Sequence, residues 1–237
     1  MAFDNRKQLV YTILTGVFIT NAVTAELIGG KIVNIYGFVL SAGILPWPIV
    51  FLTTDIINEY FGKSGVRKLS LITAALIAYV FVILFFSGRI PAFNYPSVSA
   101  VSDPQFNAVF GQSQLIIIGS IIAFLVSQMV DVSLFWVLRN LTGGKMIWLR
   151  STGSTVISQL VDSFIVTGIA FWLPGKWTTD VYLSASFHGY LFKLILAVAL
   201  TPLIYLIHGA VKKYLGTEAE HMAKVTAEQE LHHKVDE

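Results

Sequence analysis

An all-α integral membrane protein with six transmembrane helices is predicted from three features of this sequence. Hydrophobic residues make up 55% of the chain and charged residues only 13%, against about 25% charged in an ordinary soluble domain. Mean hydropathy is +0.70. The apolar residues gather into runs near the ~20 residues a helix needs to cross a bilayer. No Ser/Gly-rich linker or charge block divides the 237 residues. One transmembrane domain over 1–211 and a polar cytoplasmic tail over 212–237 are therefore expected. The lipid bilayer is the implied solvent. The net charge of +2 carries no nucleic-acid footprint, and the absence of cysteine removes disulfides and thiolate metal sites.

The first apolar run, 9–28, follows Arg6 and Lys7 and resembles the start of a signal peptide. It has no persuasive cleavage site and five more runs follow, so it is read as a retained helix. The second run, 38–60, carries Pro46-Trp47-Pro48, which should kink or interrupt it. The third covers 69–86, and a loop rich in Pro, Ser and Asn fills 87–113. The fourth, fifth and sixth runs are 115–138, 153–173 and 187–208, the last bent by Pro202. The tail with its His232-His233 pair reads as a surface segment, helical or disordered. His188 and His208 fall at run ends and are not read as ligands.

Orientation follows from the cations. Arg6, Lys7, Lys63, Arg67, Lys68, Arg139, Lys145, Arg150, Lys212, Lys213, Lys224 and Lys234 fall on one side of the six runs. Only Lys31, Arg89 and Lys176 fall on the other, with Lys193 inside the sixth run. The positive-inside rule places both termini in the cytoplasm.

Runs four and five each contain one polar phrase. Ser127-Gln128-Met129-Val130-Asp131 is followed by Ser158-Gln159-Leu160-Val161-Asp162. On a helix the Ser, Gln and Asp of each copy share a face. Counting at 1.5 Å per residue puts Asp131 roughly 10 Å and Asp162 roughly 14 Å from the cytoplasmic ends of their runs. The two carboxylates are thus expected at similar depth, as either a polar seam or a site for substrate or protons. Lys193, about 9 Å from the outer end of the sixth run, could meet Asp162 or Glu26, or could only neutralise a carboxylate. Charges at such depth cost at least ~2.5–3.5 kcal/mol each and are usually paired and functional. Asp55 and Glu59 lie at the cytoplasmic end of run two near Lys63 and Arg67. Glu59 is read as an interfacial ion-pair residue, while Asp55, one turn deeper, is a site candidate.

No metal-ligand spacing, phosphate-cradling glycine loop or Gly-x-Ser-x-Gly turn is present, and no cofactor is expected. An intramembrane aspartyl protease lacks its Gly-x-Gly-Asp context, and a lysine set against carboxylates suits an occluded site better than an open pore. The reading is a transporter rather than an enzyme.

The chain resembles the queuosine precursor transporter family, grouped with the vitamin uptake transporters. The resemblance rests on Phe51-Leu52-Thr53-Thr54-Asp55, Phe61-Gly62 and Arg67-Lys68, on Gln128-Met129-Val130-Asp131-Val132, on Asp162 beside Ser163, and on Tyr190-Leu191-Phe192-Lys193 leading to Pro202. It implies import of 7-deazaguanine bases, the cyano form or the cationic aminomethyl form, for tRNA modification. Asp131, Asp162, Gln128, Gln159, Lys193 and Asp55 are then the substrate-binding candidates. A carboxylate accepts the paired N–H donors of a guanine-like edge, the glutamines read the remaining pattern, and Phe135, Trp136 or Phe164 offer a stacking face. Buried carboxylates also admit proton or ion coupling. The alternatives are a substrate-binding subunit of an ATP-driven importer and a membrane-embedded hydrolase.

Overall fold

Each long apolar run folds as a helix, because in lipid every backbone N–H and C=O must be satisfied within its own segment. The computed structural model describes residues 6–35, 38–111, 114–143 and 146–232. The expected cytoplasmic cations Lys145 and Lys234, and His233, lie outside the described residues. Helix α1 is Arg6–Ile28; a short antiparallel hairpin of β1 (Ile32–Ile35) and β2 (Phe38–Ser41) follows, and a 3-10 turn, Ala42–Ile44, leads into α2, Trp47–Ser87. Then come α3 (Asp103–Phe110), α4 (Gln114–Leu141), α5 (Ile147–Thr167) extended by a π-turn over Gly168–Trp172, α6 (Thr179–Ala199), α7 (Thr201–Leu215) and α8 (Thr217–His232). Among the described residues, five helical stretches are long and apolar enough to cross a membrane; one of them, Ala42–Ser87, has 46 residues.

That long stretch is broken in the middle. Gly62 has φ 74° and ψ −179°, a conformation essentially restricted to glycine. A methyl placed on Gly65 would stand 3.7 Å from Ile57 Cγ2. In a straight helix eight residues span about 12 Å, so the axis turns sharply at Gly62. The expected loop over 61–68 is helical instead, and the bend falls on a single residue. The first arm, 47–61, starts at the Pro46-Trp47-Pro48 segment, with Pro46 as its N-cap residue. Proline is at home in a first turn, where the missing N–H is not needed. The expected helical start at residue 38 is therefore corrected: 38–41 is a strand, and the prolines interrupt the run by opening a helix at Trp47 rather than kinking one.

Run five begins six residues earlier than hydropathy indicated, at Ile147. Run six begins at Thr179, where the Thr178 hydroxyl accepts from Val181 N and Asp180 sits in the first turn. Pro202 does interrupt this segment, since α6 ends at Ala199 and α7 starts at Thr201. The boundary expected between 211 and 212 falls inside α7.

The core lies between α1, α2 and α4, where Phe18, Ile57, Val66, Leu69, Ile77, Phe124, Phe135 and Trp136 are buried together. Outside it, Leu71, Ile72, Tyr79, Val82, Ile83, Phe85 and Phe86 on the second arm of α2 are exposed. An apolar surface of that extent is a lipid-facing one. A second cluster joins Val10, Ile56 and Tyr60 to Leu215, Ala219 and Met222. Through it α8 docks on the bundle, with Thr226 Oγ1 donating to Tyr60 O at 3.2 Å and Arg139 donating to Ala223 O at 3.0 Å. The beginning and end of the described chain meet there, with Lys7 on Glu218 at 2.9 Å and Arg6 donating to Tyr214 O at 3.3 Å.

Candidate functional site

Helices α4 and α5 form the most extensive helix pair, and their facing surfaces carry the two polar phrases. Because the helices run antiparallel, the serine of each copy meets the aspartate of the other. Ser127 Oγ donates to Asp162 Oδ1 at 3.3 Å, and Ser158 Oγ donates to Asp131 Oδ1 at 3.0 Å. The aspartates consequently point to opposite ends of the seam rather than to one depth. Asp131 lies ten residues from Leu141 and Asp162 fifteen from Ile147, roughly 15 and 22 Å along the axes. The cross-pairing accounts for the offset, because the serine and aspartate of each copy are four residues, about 6 Å, apart.

Asp162 belongs to an outer chamber. Lys193 Nζ, on α6, donates to Asp162 Oδ2 at 2.5 Å. Ser120 Oγ, on α4, donates to Glu26 Oε2 at 2.8 Å. Glu26, Ser120, Asp162, Ser163 and Lys193 all line one cavity of about 1180 Å³, walled by Trp47, Phe171 and Trp177. Phe171 and Trp177 are stacked at 4.3 Å. The hairpin forms part of this wall through Leu40 and Ser41, and Ser41 Oγ donates to Gly29 O at 2.6 Å, tying the hairpin to the end of α1. The chamber holds the features of a small-molecule site, an apolar enclosure with a few convergent polar groups.

Asp131 belongs to an inner, closed layer. It is 1% exposed and also takes a 3.5 Å hydrogen bond from Thr155 Oγ1. Asp55, on the first arm of α2, accepts from Ser151 Oγ of α5. Glu59, one turn on, is not an interfacial residue paired with Lys63 or Arg67. It is buried, with Arg150 at 2.8 Å and Arg139 at 3.4 Å. Both arginines counted as loop cations are drawn inward because a buried carboxylate needs a partner.

The six candidate residues are therefore divided. Asp162 and Lys193 line the large cavity, while Asp55 and Asp131 share the inner layer. Gln128 is buried with Nε2 donating to Thr54 Oγ1 at 3.1 Å, which makes it a tie between α4 and α2. Gln159 is buried with Oε1 lacking a hydrogen-bond partner. Phe135 and Trp136 are core residues, Trp136 Nε1 donating to Asn58 Oδ1 at 2.7 Å, and Phe164 packs edge-on to Tyr182 at 5.7 Å. The stacking faces in the cavity belong instead to Trp47, Phe171 and Trp177. From the sequence Glu26 was named only as a group that Lys193 could meet, and Ser120 was passed over; a carboxylate near the end of run one was the available signal. Among the described residues no group of three or more His, Asp or Glu side chains is placed to hold a metal ion.

A family model described as "Putative vitamin uptake transporter" matches residues 41–207. The chain is 31% identical over 181 residues to the "Probable queuosine precursor transporter" of Bacillus subtilis, covering 74% of each chain. It is 28% identical over 182 residues to the "Probable queuosine precursor transporter" of Haemophilus influenzae, covering 75% of this chain and 72% of that one. It is 27% identical over 193 residues to the "Queuosine precursor transporter" of Escherichia coli, covering 79% of this chain and 81% of that one. No solved structure matches.

Proposed function

The chain belongs to the vitamin uptake transporter family, and from that premise we propose that it imports queuosine precursors, small 7-deazaguanine bases, across the cell membrane for salvage into tRNA modification. The supporting observation is the outer cavity, where Glu26, Asp162 and Lys193 converge between aromatic walls. A guanine-like edge presents adjacent N–H donors, and a carboxylate on the cavity wall accepts such a pair more strongly than a neutral group does. Trp47 or the Phe171–Trp177 stack offers a face for the planar ring. Glu26, Asp162 and Asp180 outnumber Lys193 on the cavity lining, and this acidic balance suits the cationic aminomethyl base and tolerates the neutral cyano base.

In this reading the two arms of α2 are separate crossings. The bundle then has six crossings, with both termini in the cytoplasm and 1–211 as the transport domain. The test is uptake of labelled deazaguanine by cells lacking their own synthesis, with and without this protein. Uptake only in its presence is expected; equal uptake in both strains would overturn the proposal.

A further inference from the structure

The inner layer holds two carboxylates that the outer cavity does not use. Asp55 is 5% exposed and Asp131 1%. One oxygen of each accepts from hydroxyls of α5, Ser151 on Asp55 and Ser158 with Thr155 on Asp131. Ser154, on the same face of α5, is buried as well and donates to Ser151 O at 3.0 Å. The second oxygen of each, Asp55 Oδ1 and Asp131 Oδ2, is buried without a hydrogen-bond partner. Ser151 and Thr155, one turn apart on α5, hold the two carboxylates against the same face of that helix, and a buried, partly unsatisfied carboxylate is costly to keep.

The charge count gives the sign of what is missing from this layer. Asp55, Asp131 and Glu59 contribute three negative charges, while Arg139 and Arg150 contribute two positive ones. Tyr60 and His208 bond one another at 2.8 Å beside Glu59 and add no fixed charge as a neutral pair. Lys193, also close by among the described residues, is bound to Asp162. Among these named groups one negative charge is left over. A pocket of about 20 Å³ touches Asp55, Ser151 and Thr155, has Lys193 on its otherwise mostly apolar wall and reaches Asp131 only through Thr155; it has room for one water-sized guest.

We propose that Asp55 and Asp131, with the hydroxyls of Ser151, Ser154, Thr155 and Ser158, form a binding site for one monovalent cation, a sodium ion or a proton. Carboxylate and hydroxyl oxygens are hard donors suited to such an ion. Lys193 borders both this pocket and the outer cavity, so occupancy of one site is felt electrostatically at the other, and linkage requires the effect to be reciprocal. Calling the ion a coupling ion rests on the transport reading; its binding does not.

The experiment uses the full-length protein purified in detergent without substrate. Thermal unfolding is followed as sodium replaces choline at constant ionic strength, across a series of pH values. Occupancy should raise the midpoint by roughly 5 °C at a hundredfold excess over Kd. A response to sodium identifies the metal ion, and a response to pH alone identifies the proton. Asp55→Asn and Asp131→Asn each remove the surplus charge, so they should match or exceed the stability of the cation-free wild type and lose the response. Ser158→Ala, a milder change, should fold normally and need about tenfold more cation for the same shift. Indifference of the wild type to both cations overturns the proposal, as does a full response retained in the aspartate variants or an unchanged midpoint concentration in Ser158→Ala. A failed uptake assay alongside an intact cation response would remove the substrate reading and leave this site standing.

Discussion

Lys193 is the side chain whose partner decides how the outer chamber works. Its 2.5 Å contact with Asp162 makes it either the neutraliser of a structural charge or a group the substrate displaces. Asp162→Asn keeps the shape and removes the strong acceptor, which costs on the order of 1–3 kcal/mol per unsatisfied partner. Uptake should fall at least tenfold while expression stays near normal; normal uptake in that variant would reduce the pair to packing. Lys193→Met alone should express poorly because it strands the carboxylate, and combining it with Asp162→Asn should restore expression but not transport. Glu59 makes a different prediction. Glu59→Gln leaves Arg139 and Arg150 facing one another in the interior, and breaking a buried ion pair costs about 3–5 kcal/mol. A clear drop in unfolding temperature is expected, and a shift no larger than that of a surface pair would show the triad to be solvated.

At the scale of elements, hydropathy located the helices because lipid-facing segments have to be apolar throughout. It misplaced their ends for physical reasons that can be named. The segment over 38–41 is apolar and β-branched or aromatic enough to read as part of a span, yet Pro46 and Pro48 let the helix begin only at Trp47. Helix α6 begins eight residues before the apolar run because Asp180, Ser184 and Ser186 line a cavity rather than lipid. The Thr178 cap with Asp180 in the next turn was a readable signal for that start. The cross-pairing of the twin phrases was half legible: identical spacing on antiparallel helices implies reciprocal contacts, but the registry depended on where α5 starts. The division of Asp131 from Asp162 could not be counted from run ends. The bend at Gly62 was invisible to hydropathy, since one residue carries it. Its φ of 74° and ψ of −179° make Gly62→Ala a strained substitution, costing about 1–3 kcal/mol. That variant should lose thermal stability, whereas an unaltered melting profile would mean the backbone can bend elsewhere.

Over the whole molecule, one end of the bundle gathers most of the cations. Arg6 and Lys7 reach α7 and α8, α8 covers Tyr60 and Arg139, and Glu59 ties α2 to α4 and α5. The other end carries the hairpin, the mouth of the cavity and the Asp103–Phe110 helix, with few cations. A protein inserted by the positive-inside rule would place the charged end in the cytoplasm and open its cavity outward, the orientation an importer needs to capture substrate. Withdrawing Arg139 and Arg150 into the Glu59 cluster weakens the loop count without reversing it, since Lys63, Arg67, Lys68, Lys212, Lys213 and Lys224 remain at that end. Reporter fusions after Lys213 should therefore be cytoplasmic, and insertions near Asp103 and Trp177 extracytoplasmic. The Asp103 insertion is the discriminating one, because it follows the second arm of α2. If the arms are two crossings, it lies opposite both termini; if the 46-residue stretch crosses once, it lies on the side of the N-terminus, and the C-terminus moves to the other side. A cytoplasmic signal there would reduce the bundle to five crossings and turn the cavity away from the substrate it is proposed to admit.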